Sequence, residues 1–263
     1  MPRLNANLSM MFNEVGFLER FGAAARAGFR GVEFLFPYEF PAAQIREQLD
    51  RHKLEMVLFN MPPGDFAAGD RGLACDPGKI GEFQEGVGKA IAYATALGCR
   101  QLHVMAGVVP AGADTAQLER TYVENVRYAA AQMKSHGIRT LLEPLNTYDN
   151  GGYFLTSIDQ TRRIMERVGS DNVFLQLDLY HRQMMQGNLA QTIETHLPVA
   201  RHIQIAGVPG RHEPDVGEIN YPFLFDLIDR LGYRGWIGCE YRPKGSTTGG
   251  LGWGQPYGVR GSA

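Results

Sequence analysis

The sequence predicts an α/β fold in which eight parallel strands close into a single (β/α)8 barrel over residues 1–263. Short apolar runs alternate with amphipathic helical patterns along the whole chain. Such alternation indicates a parallel sheet covered by helices. The 263 residues suit one barrel, because eight strand–helix units need about 250 residues. No Pro/Ser/Gly-rich linker or low-complexity segment divides the chain, so a single domain is expected.

A recurring Gly-x-Arg tripeptide marks the joins between helices and strands. Each glycine follows a helical pattern, as expected where a helix ends on a left-handed residue. Successive glycines are 70, 39 and 95 residues apart. With roughly 33 residues per unit, the joins precede strands two, four, five and eight. The tripeptides are Gly28–Arg30, Gly98–Arg100, Gly137–Arg139 and Gly232–Arg234.

The spacing then places all eight strands. Ser157 and Gln160 form a predicted helix-capping box, and Asn220 before Pro222 is a predicted cap. An open doubly wound sheet is the alternative fold, but no glycine-rich dinucleotide fingerprint follows the first strand. No nucleotide cofactor is therefore expected. The predicted strands are Leu4–Asn7, Val32–Phe34, Glu55–Asn60, Gln101–Met105, Thr140–Glu143, Val173–Asp178, His202–Ile205 and Trp236–Glu240.

Composition argues against several classes of partner. The 26 basic and 28 acidic residues give a formal charge of −2, so neither nucleic acid nor an anionic membrane is an expected partner. The chain shows no secretion signal and no apolar run of membrane-spanning length. Three cysteines without a CxxC pair suit a reducing compartment. We expect a soluble, cytoplasmic protein, and the prevalence of homo-oligomers leaves such an assembly open.

Oxygen-bearing side chains occur at the ends of four consecutive predicted strands. Because the carboxyl ends of barrel strands meet at one face, these side chains should lie close together. Three carboxylates there would repel one another, and a hard divalent cation such as Mg²⁺ or Mn²⁺ would relieve that repulsion. Any one acid could instead be a solvated strand end, but four together favour a metal site. The predicted ligands are Glu143, Asp178, Gln204 and Glu240.

Further side chains are candidates for substrate contact near this face. His181, three residues after Asp178, could hydrogen-bond a substrate oxygen, and Arg211 could pair with a substrate carboxylate. Asn60 ends the third strand and could line the pocket. Glu33 and His103 lie in apolar strands, where core hydrogen bonding is favoured over a direct catalytic role.

Two acids at a metal site suggest a reaction. A cation that chelates a carbonyl and the adjacent hydroxyl acidifies the C–H between them, so one carboxylate can remove the proton and another return it to the neighbouring carbon. We assign Glu143 and Glu240 to these roles, for aldose–ketose-type isomerisation or epimerisation through an enediolate. A hydride shift is the rival route, but it normally uses a second metal, and the sequence shows no second acidic cluster.

Several segments around these residues are distinctive, namely LLEPLN at 141–146, QLDLYH at 176–181, and the run from Gln204 to Pro243 with GWIGCEYRP within it. Together they resemble the hydroxypyruvate isomerase family of xylose-isomerase-like TIM barrels. The resemblance implies an isomerase that interconverts hydroxypyruvate and tartronate semialdehyde with one divalent metal ion. It also implies the same four metal ligands and the same pair of proton-transferring glutamates.

The substrate is less well defined, because the chain also resembles the sister family of 2-oxo-tetronate isomerases. The amino terminus and LHVMAGVVPAG are similar to that sister, whereas the loops after strands five and six are similar to hydroxypyruvate isomerases. Loops at the catalytic face set specificity, so hydroxypyruvate is the predicted substrate. We expect the aromatic residues Tyr148, Tyr153 and Phe154 to close the pocket over this shorter acid.

Other classes remain as alternatives. Abasic-site endonucleases are similar in fold but imply a histidine-rich multi-zinc site and a basic DNA face, whereas this chain has 7 histidines and a negative net charge. A ketose 3-epimerase is a more distant alternative. A non-catalytic sugar-binding barrel would keep the pocket without needing two opposed carboxylates.

Overall fold

The computed structural model describes residues 1–261 and shows a closed barrel of eight parallel strands, each paired with its neighbours in chain order. The first strand pairs with the eighth, with Arg3 beside Trp236, and this pairing closes the barrel. The strands are β1 (Arg3–Asn7), β2 (Gly31–Phe34), β3 (Glu55–Asn60), β4 (Gln101–His103), β5 (Arg139–Leu142), β6 (Val173–Asp178), β7 (Ala200–Ile205) and β8 (Trp236–Cys239).

Helices connect successive strands and cover the outside of the barrel. Two helices, not one, join β6 to β7, and a 3-10 segment, Thr248–Tyr257, follows β8. The helices are α1 (Phe17–Arg26), α2 (Ala42–His52), α3 (Ile80–Leu97), α4 (Thr115–Ser135), α5 (Ile158–Val168), α6 (Leu179–Met185), α7 (Leu189–His196) and α8 (Tyr221–Arg230).

The predicted barrel and all eight strands are confirmed. The predicted β4 is too long, because the chain leaves the ladder after His103, and Glu143 and Glu240 lie just beyond the ends of their strands. All four join glycines have positive φ, from 68° to 95°. At Gly28 the left-handed backbone also passes so close to Gly258 that an added Cβ would lie 2.4 Å from its carbonyl oxygen.

The predicted helix starts are confirmed in their main feature. Ser157 Oγ accepts a hydrogen bond from the Gln160 N–H at 3.1 Å, and Asn220 Oδ1 accepts one from Phe223 N–H. The return bond of the capping box differs from the expectation, because Gln160 Oε1 accepts from Thr156 N–H, one residue earlier. Both cap side chains accept hydrogen bonds from N–H groups that lack partners within the first helical turn.

Apolar side chains between the barrel and its helices form one large continuous core. The three cysteines are unpaired and buried in it. Polar residues are nevertheless buried inside the barrel, at Asn5, Glu33, His202 and Gln204. Burial of polar groups is costly unless they are hydrogen-bonded, so these side chains locate a polar site within the barrel.

Across residues 1–261, none of the helices combines the length and the hydropathy needed to cross a membrane.

Candidate active site

The carboxyl ends of β5 to β8 bring the four predicted ligands to one end of the barrel. Glu143 follows β5, Asp178 ends β6, Gln204 lies in β7 and Glu240 follows β8. Each of these side chains is at most 6% exposed. A small cavity between the strands is lined by Glu143, Gln204 and Glu240, together with Asn60. The prediction that these strands deliver their polar ends to one place is confirmed.

Asp178 is fixed by the helix that it starts. Its Oδ1 accepts hydrogen bonds from the N–H groups of Tyr180 at 2.7 Å and His181 at 3.2 Å, and so caps α6. The second oxygen, Oδ2, is left to face the site, where Arg211 Nη2 lies 3.4 Å away. One carboxylate oxygen therefore orients the residue and the other remains available for a cation.

Arg211 lies between two carboxylates of the site. Its Nη2 donates to Glu240 Oε1 at 2.8 Å as well as facing Asp178. The residue has φ of +58°, a left-handed conformation that is uncommon outside glycine. Its carbonyl accepts from Arg242 N–H at 2.7 Å and its Nε donates to the Glu240 carbonyl, so the β8 end holds this backbone in place. The side chain is 12% exposed and reaches the site from the loop after β7.

Gln204 connects the site to a polar network beneath it. Its amide nitrogen donates to Glu240 Oε2 and to Glu33 Oε1, and its oxygen accepts from Gln176 Nε2 at 2.7 Å. In this orientation the nitrogen, rather than the oxygen, faces Glu240. The predicted role of Gln204 as an oxygen ligand requires the opposite orientation of the amide.

Glu33 is the centre of the network under the site. Its two oxygens accept from the side chains of Asn5, Asn7, His202 and Gln204 at 2.7–3.1 Å. These bonds, with the positive charge that His202 can carry, lower its pKa despite the burial of the carboxylate. The expectation that Glu33 serves core hydrogen bonding is confirmed. The network holds Gln204, and through it Glu240, in a fixed position.

Glu143 is contacted from β4 by His103, whose Nδ1 lies 3.4 Å from Glu143 Oε2 and 3.2 Å from Asn60 Oδ1. Burial lowers the pKa of His103 to about 3. The ring is therefore neutral, and its Nδ1–H faces these two oxygens as a donor. Glu143 Oε1 is buried and has no hydrogen-bond partner among residues 1–261. An unsatisfied buried carboxylate oxygen is costly, and it is suited to a cation or a substrate hydroxyl.

The hydrogen bonds around His181 assign its protonated nitrogen. Nδ1 faces two donors, the backbone N–H of Asn146 at 3.1 Å and the Asn146 side-chain amide nitrogen at 2.7 Å. Asp149 fixes that amide, because its Oδ2 accepts from the Asn146 nitrogen and its N–H donates to the Asn146 oxygen. Nδ1 is therefore an acceptor, and the neutral ring carries its proton on Nε2. Burial lowers the pKa of His181 well below its usual value, which maintains this neutral form.

The carboxylates of the site hold their protons strongly. Burial raises the pKa of Glu143 well above its ordinary range, and the charges of Glu240 and Asp178 raise it further. Burial likewise raises the pKa of Glu240 to about 8, although the neighbouring Arg211 opposes the shift. The pKa of Asp178 is also raised by burial. The predicted mutual repulsion is thus present, and a bound cation would relieve it.

A group of residues that could hold a cation is present at this position. Ligand atoms of Glu143, Asp178 and His181 lie within 4.8 Å of one another. The unpartnered Glu143 Oε1 suits a hard divalent ion, and so does Asp178 Oδ2, which Arg211 contacts only at 3.4 Å. His181 offers a less suitable atom, because its Nε2 carries the proton, and so its predicted contact with a substrate oxygen fits the hydrogen bonds better than metal ligation. Glu240 lies outside this closest group.

The aromatic residues of the loop after β5 do not line the site as expected. Tyr148 is 75% exposed, whereas Tyr153 and Phe154 are buried. The Tyr153 hydroxyl accepts from Ala106 N–H, and Phe154 packs edge-on against Tyr122. Neither of the two small cavities at this end of the barrel is lined by them. Their closure over a three-carbon acid stays a prediction, with Tyr148 exposed and Tyr153 and Phe154 buried in this structure.

Sequence reasoning also missed several polar residues of the network. Asn5, Asn7, Gln176 and His202 contact Glu33 or Gln204, yet none was a candidate. A signal for two of them was available. Gln176 precedes Asp178 by two residues and His202 precedes Gln204 by two, so each pair faces the same side of a strand.

Comparison with known proteins identifies the family. Residues 21–257 match the family model described as the xylose isomerase-like TIM barrel. The chain is 53% identical to a 2-oxo-tetronate isomerase of Cupriavidus necator, over 98% of this chain and 99% of the relative. It is 46% identical to a hydroxypyruvate isomerase of Escherichia coli, over 98% of this chain and 100% of the relative.

A solved structure is equally similar. The crystal structure titled AP endonuclease, family 2, from Brucella melitensis superposes with a TM-score of 0.96 at 54% identity, and covers 98% of this chain and 99% of that chain. Because the family model and the curated relatives extend over nearly the whole length, this chain belongs to the xylose isomerase-like TIM barrel family, and it is an isomerase.

Proposed function

We propose that the chain exchanges a carbonyl and a neighbouring hydroxyl between C2 and C3 of a short 2-oxo-3-hydroxy acid. The observation that carries the proposal is that Glu143 and Glu240 line one small cavity from β5 and β8 while buried from solvent. Two carboxylates on the walls of one cavity can reach the two adjacent carbons of a bound substrate. Proton exchange between C2 and C3 needs such a pair.

The proposed reaction moves one proton between carbons and one between oxygens. One glutamate removes the proton from C3, the C2=C3 enediol forms, and the other glutamate delivers a proton to C2. A hydroxyl proton moves from the C3 oxygen to the C2 oxygen, so that C3 becomes the carbonyl. His181 Nε2–H is available to hydrogen-bond one of these oxygens, and Arg211 is available to pair with the substrate carboxylate.

A divalent ion, Mg²⁺ or Mn²⁺, fits the donors of the site. Glu143, Asp178 and Glu240 would hold it through oxygen, and Gln204 would be the fourth ligand with its amide turned so that Oε1 faces the ion. When bound, the ion would polarise the substrate carbonyl and acidify the adjacent C–H. The raised pKa values of Glu143 and Asp178 mark the positions where a positive charge is most stabilising.

Two acids share this chemistry and differ only in the group on C3. Hydroxypyruvate carries hydrogen there, and 2-oxo-tetronate carries a hydroxymethyl group. The loop aromatic residues expected to favour the smaller acid line neither small cavity, and relatives at 53% and 48% identity are named for the larger one. We therefore propose 2-oxo-tetronate as the better substrate. Hydroxypyruvate is the second candidate, favoured by the loops after β5 and β6 and by the relative from Escherichia coli at 46% identity.

The test is a side-by-side measurement of kcat/KM for both acids with Mg²⁺ and with Mn²⁺. A higher value for 2-oxo-tetronate is expected, and a higher value for hydroxypyruvate would reverse the substrate assignment. Turnover in D₂O should place deuterium on the product carbon. Product without solvent label at every stage of the reaction would favour the hydride shift instead.

A second comparison separates an enzyme from a sugar-binding barrel. Glu240→Gln should abolish turnover yet still bind substrate, because the amide keeps the size of the side chain but cannot transfer the proton. Equal turnover by this variant and the unaltered protein would contradict the proposed proton transfer.

A further inference from the structure

A second cavity lies at the opposite end of the barrel from the carboxylates. Its volume is about 680 Å³, within the range of small-molecule sites. It is lined by the first residues of strands, including Arg3 of β1, Glu55 of β3, Arg139 of β5 and Trp236 of β8. The isomerase chemistry uses none of these residues. The cavity is therefore a candidate site separate from the active site.

The lining is strongly basic in an otherwise slightly acidic chain. Two glutamates, Glu55 and Glu194, are its acidic residues, whereas the whole sequence has a formal charge of −2. Such a concentration of positive charge attracts anions. The arginines that line the cavity are Arg3, Arg100, Arg139, Arg201 and Arg234.

Two of the arginines are held in place by aromatic rings. The Arg3 guanidinium lies 4.0 Å from the centre of the Trp236 ring, and that of Arg201 lies 4.5 Å from the centre of Phe174. Arg201 Nη1 also donates to the carbonyls of Pro198 and Ala200. Side chains ordered in advance lose less entropy when a ligand binds. Arg3 Nη2 also lies 3.5 Å from Glu55 Oε2 of the same lining, so an anion at Arg3 would compete with this exposed ion pair, whereas Arg201 has no acidic partner among residues 1–261.

The other three arginines have no acidic partner. In the described part of the chain, neither a hydrogen bond nor a salt bridge engages the guanidinium groups of Arg100, Arg139 and Arg234. All three come from the repeated Gly-x-Arg joins. Arg139 N–H donates to the Arg100 carbonyl at 2.9 Å, so these two begin adjacent strands. Their charges remain available to a ligand.

Tyr233 lies in the lining between arginines that come from different strands. Tyr233 lines the cavity, and its hydroxyl donates to the Trp236 carbonyl at 3.1 Å. Arg139 of β5 and Arg201 of β7 line the cavity beside it. Arginines on separate strands therefore face a common volume.

We propose that this cavity binds a small molecule that carries two or more adjacent phosphate groups. Guanidinium forks match phosphate oxygens in bidentate hydrogen bonds. Several arginines distributed around one cavity need a ligand whose negative charge is also distributed, which a single carboxylate does not provide. The free guanidinium groups of Arg100, Arg139 and Arg234 supply the contacts, and Arg3 and Arg201 form the ordered wall.

The test is calorimetric titration of the full chain with inorganic tripolyphosphate at low salt. Saturable binding with one molecule per chain is expected. The double variant Arg100→Gln/Arg139→Gln should bind tripolyphosphate at least about tenfold more weakly, because charge-assisted hydrogen bonds are lost. The matched control is Arg120→Gln/Arg163→Gln, which removes the same charge from exposed arginines of α4 and α5 outside the cavity. This control should bind like the unaltered protein.

Two further measurements identify the ligand and check that the variants are folded. Tighter binding of ATP than of tripolyphosphate would assign a nucleotide, and equal binding would assign the phosphates alone. Both double variants should keep isomerase turnover, since none of the altered residues lines the cavities at the carboxyl ends of the strands.

Two results would overturn the proposal. The first is equal weakening of binding in both double variants, which would indicate non-specific attraction to charge. The second is the absence of saturable binding by the unaltered protein. A change of oligomeric state in the Arg100→Gln/Arg139→Gln protein would then assign this surface to contact between copies of the chain.

Discussion

At the scale of single residues, the two glutamates proposed to transfer protons give the most decisive test. Glu143→Gln and Glu240→Gln should each lower kcat by several orders of magnitude, because each residue is both a proposed metal ligand and an acid/base. Steady-state kinetics with saturating Mn²⁺ measure the loss. Glu39→Gln, at an exposed position, is the control and should leave kcat unchanged. A loss of less than about tenfold in either active-site variant would remove that residue from proton transfer.

Arg211 is the second residue whose role can be tested alone. Arg211→Ala should raise KM more than it lowers kcat, because a charge-assisted contact to the substrate carboxylate is lost. Arg211→Lys should restore part of the affinity, since it keeps the charge but not the fork. The readout is the separate measurement of KM and kcat. An unchanged KM in Arg211→Ala would assign the arginine only to balancing the charges of Asp178 and Glu240.

At the scale of elements, α6 shows how one side chain connects the fold to the chemistry. Asp178 caps this helix with one oxygen and faces the site with the other. Because α6 begins directly after β6, Asp178, a proposed metal ligand, is positioned without a flexible loop. In the same way, the loop after β7 places Arg211 through its left-handed backbone and its contacts with the β8 end.

This double role of Asp178 makes a prediction at the element scale. Asp178→Asn keeps a capping oxygen, whereas Asp178→Ala removes it. In metal-free protein the alanine variant should therefore be less stable than the asparagine variant by ~1 kcal/mol. Urea denaturation of both variants measures the difference. Both should lose turnover alike, because neither keeps the carboxylate. Equal stability would show that the cap contributes nothing measurable.

At the scale of the whole molecule, the buried carboxylates couple stability to pH and metal. The folded-state pKa of Glu240 is raised from about 4.5 to about 8. Its protonation therefore stabilises the metal-free protein fully below about pH 4.5, and this stability is lost as the pH rises through about 8. The raised pKa values of Glu143 and Asp178 act in the same direction.

The prediction is that added Mn²⁺ raises the Tm more at about pH 8 than at about pH 5.5. At the higher pH the carboxylates are ionised and need the cation, whereas at the lower pH protons compete for the same oxygens. Thermal unfolding with Mn²⁺ and with chelator at both pH values measures the two gains. A larger gain at the lower pH would contradict metal binding by these carboxylates.

The sequence by itself determined the barrel, the order of its strands and the strand ends that carry the polar residues. These features depend on local rules, because glycine ends helices, side chains alternate along strands, and parallel strands present their carboxyl ends together. The strands at β3 and β6 were therefore predicted to the residue. The resemblance of the segments around Glu143, Asp178 and Glu240 added the isomerase activity.

Only the tertiary structure decided how those side chains are oriented and partnered. The proton on His181 Nε2 depends on Asn146, 35 residues away, and the orientation of Gln204 depends on Glu33, 171 residues away. The burial of Tyr153 and the exposure of Tyr148 likewise follow from packing between distant segments. Hydrogen bonds and packing of this kind join residues that are remote in the chain, so no local pattern in the sequence records them.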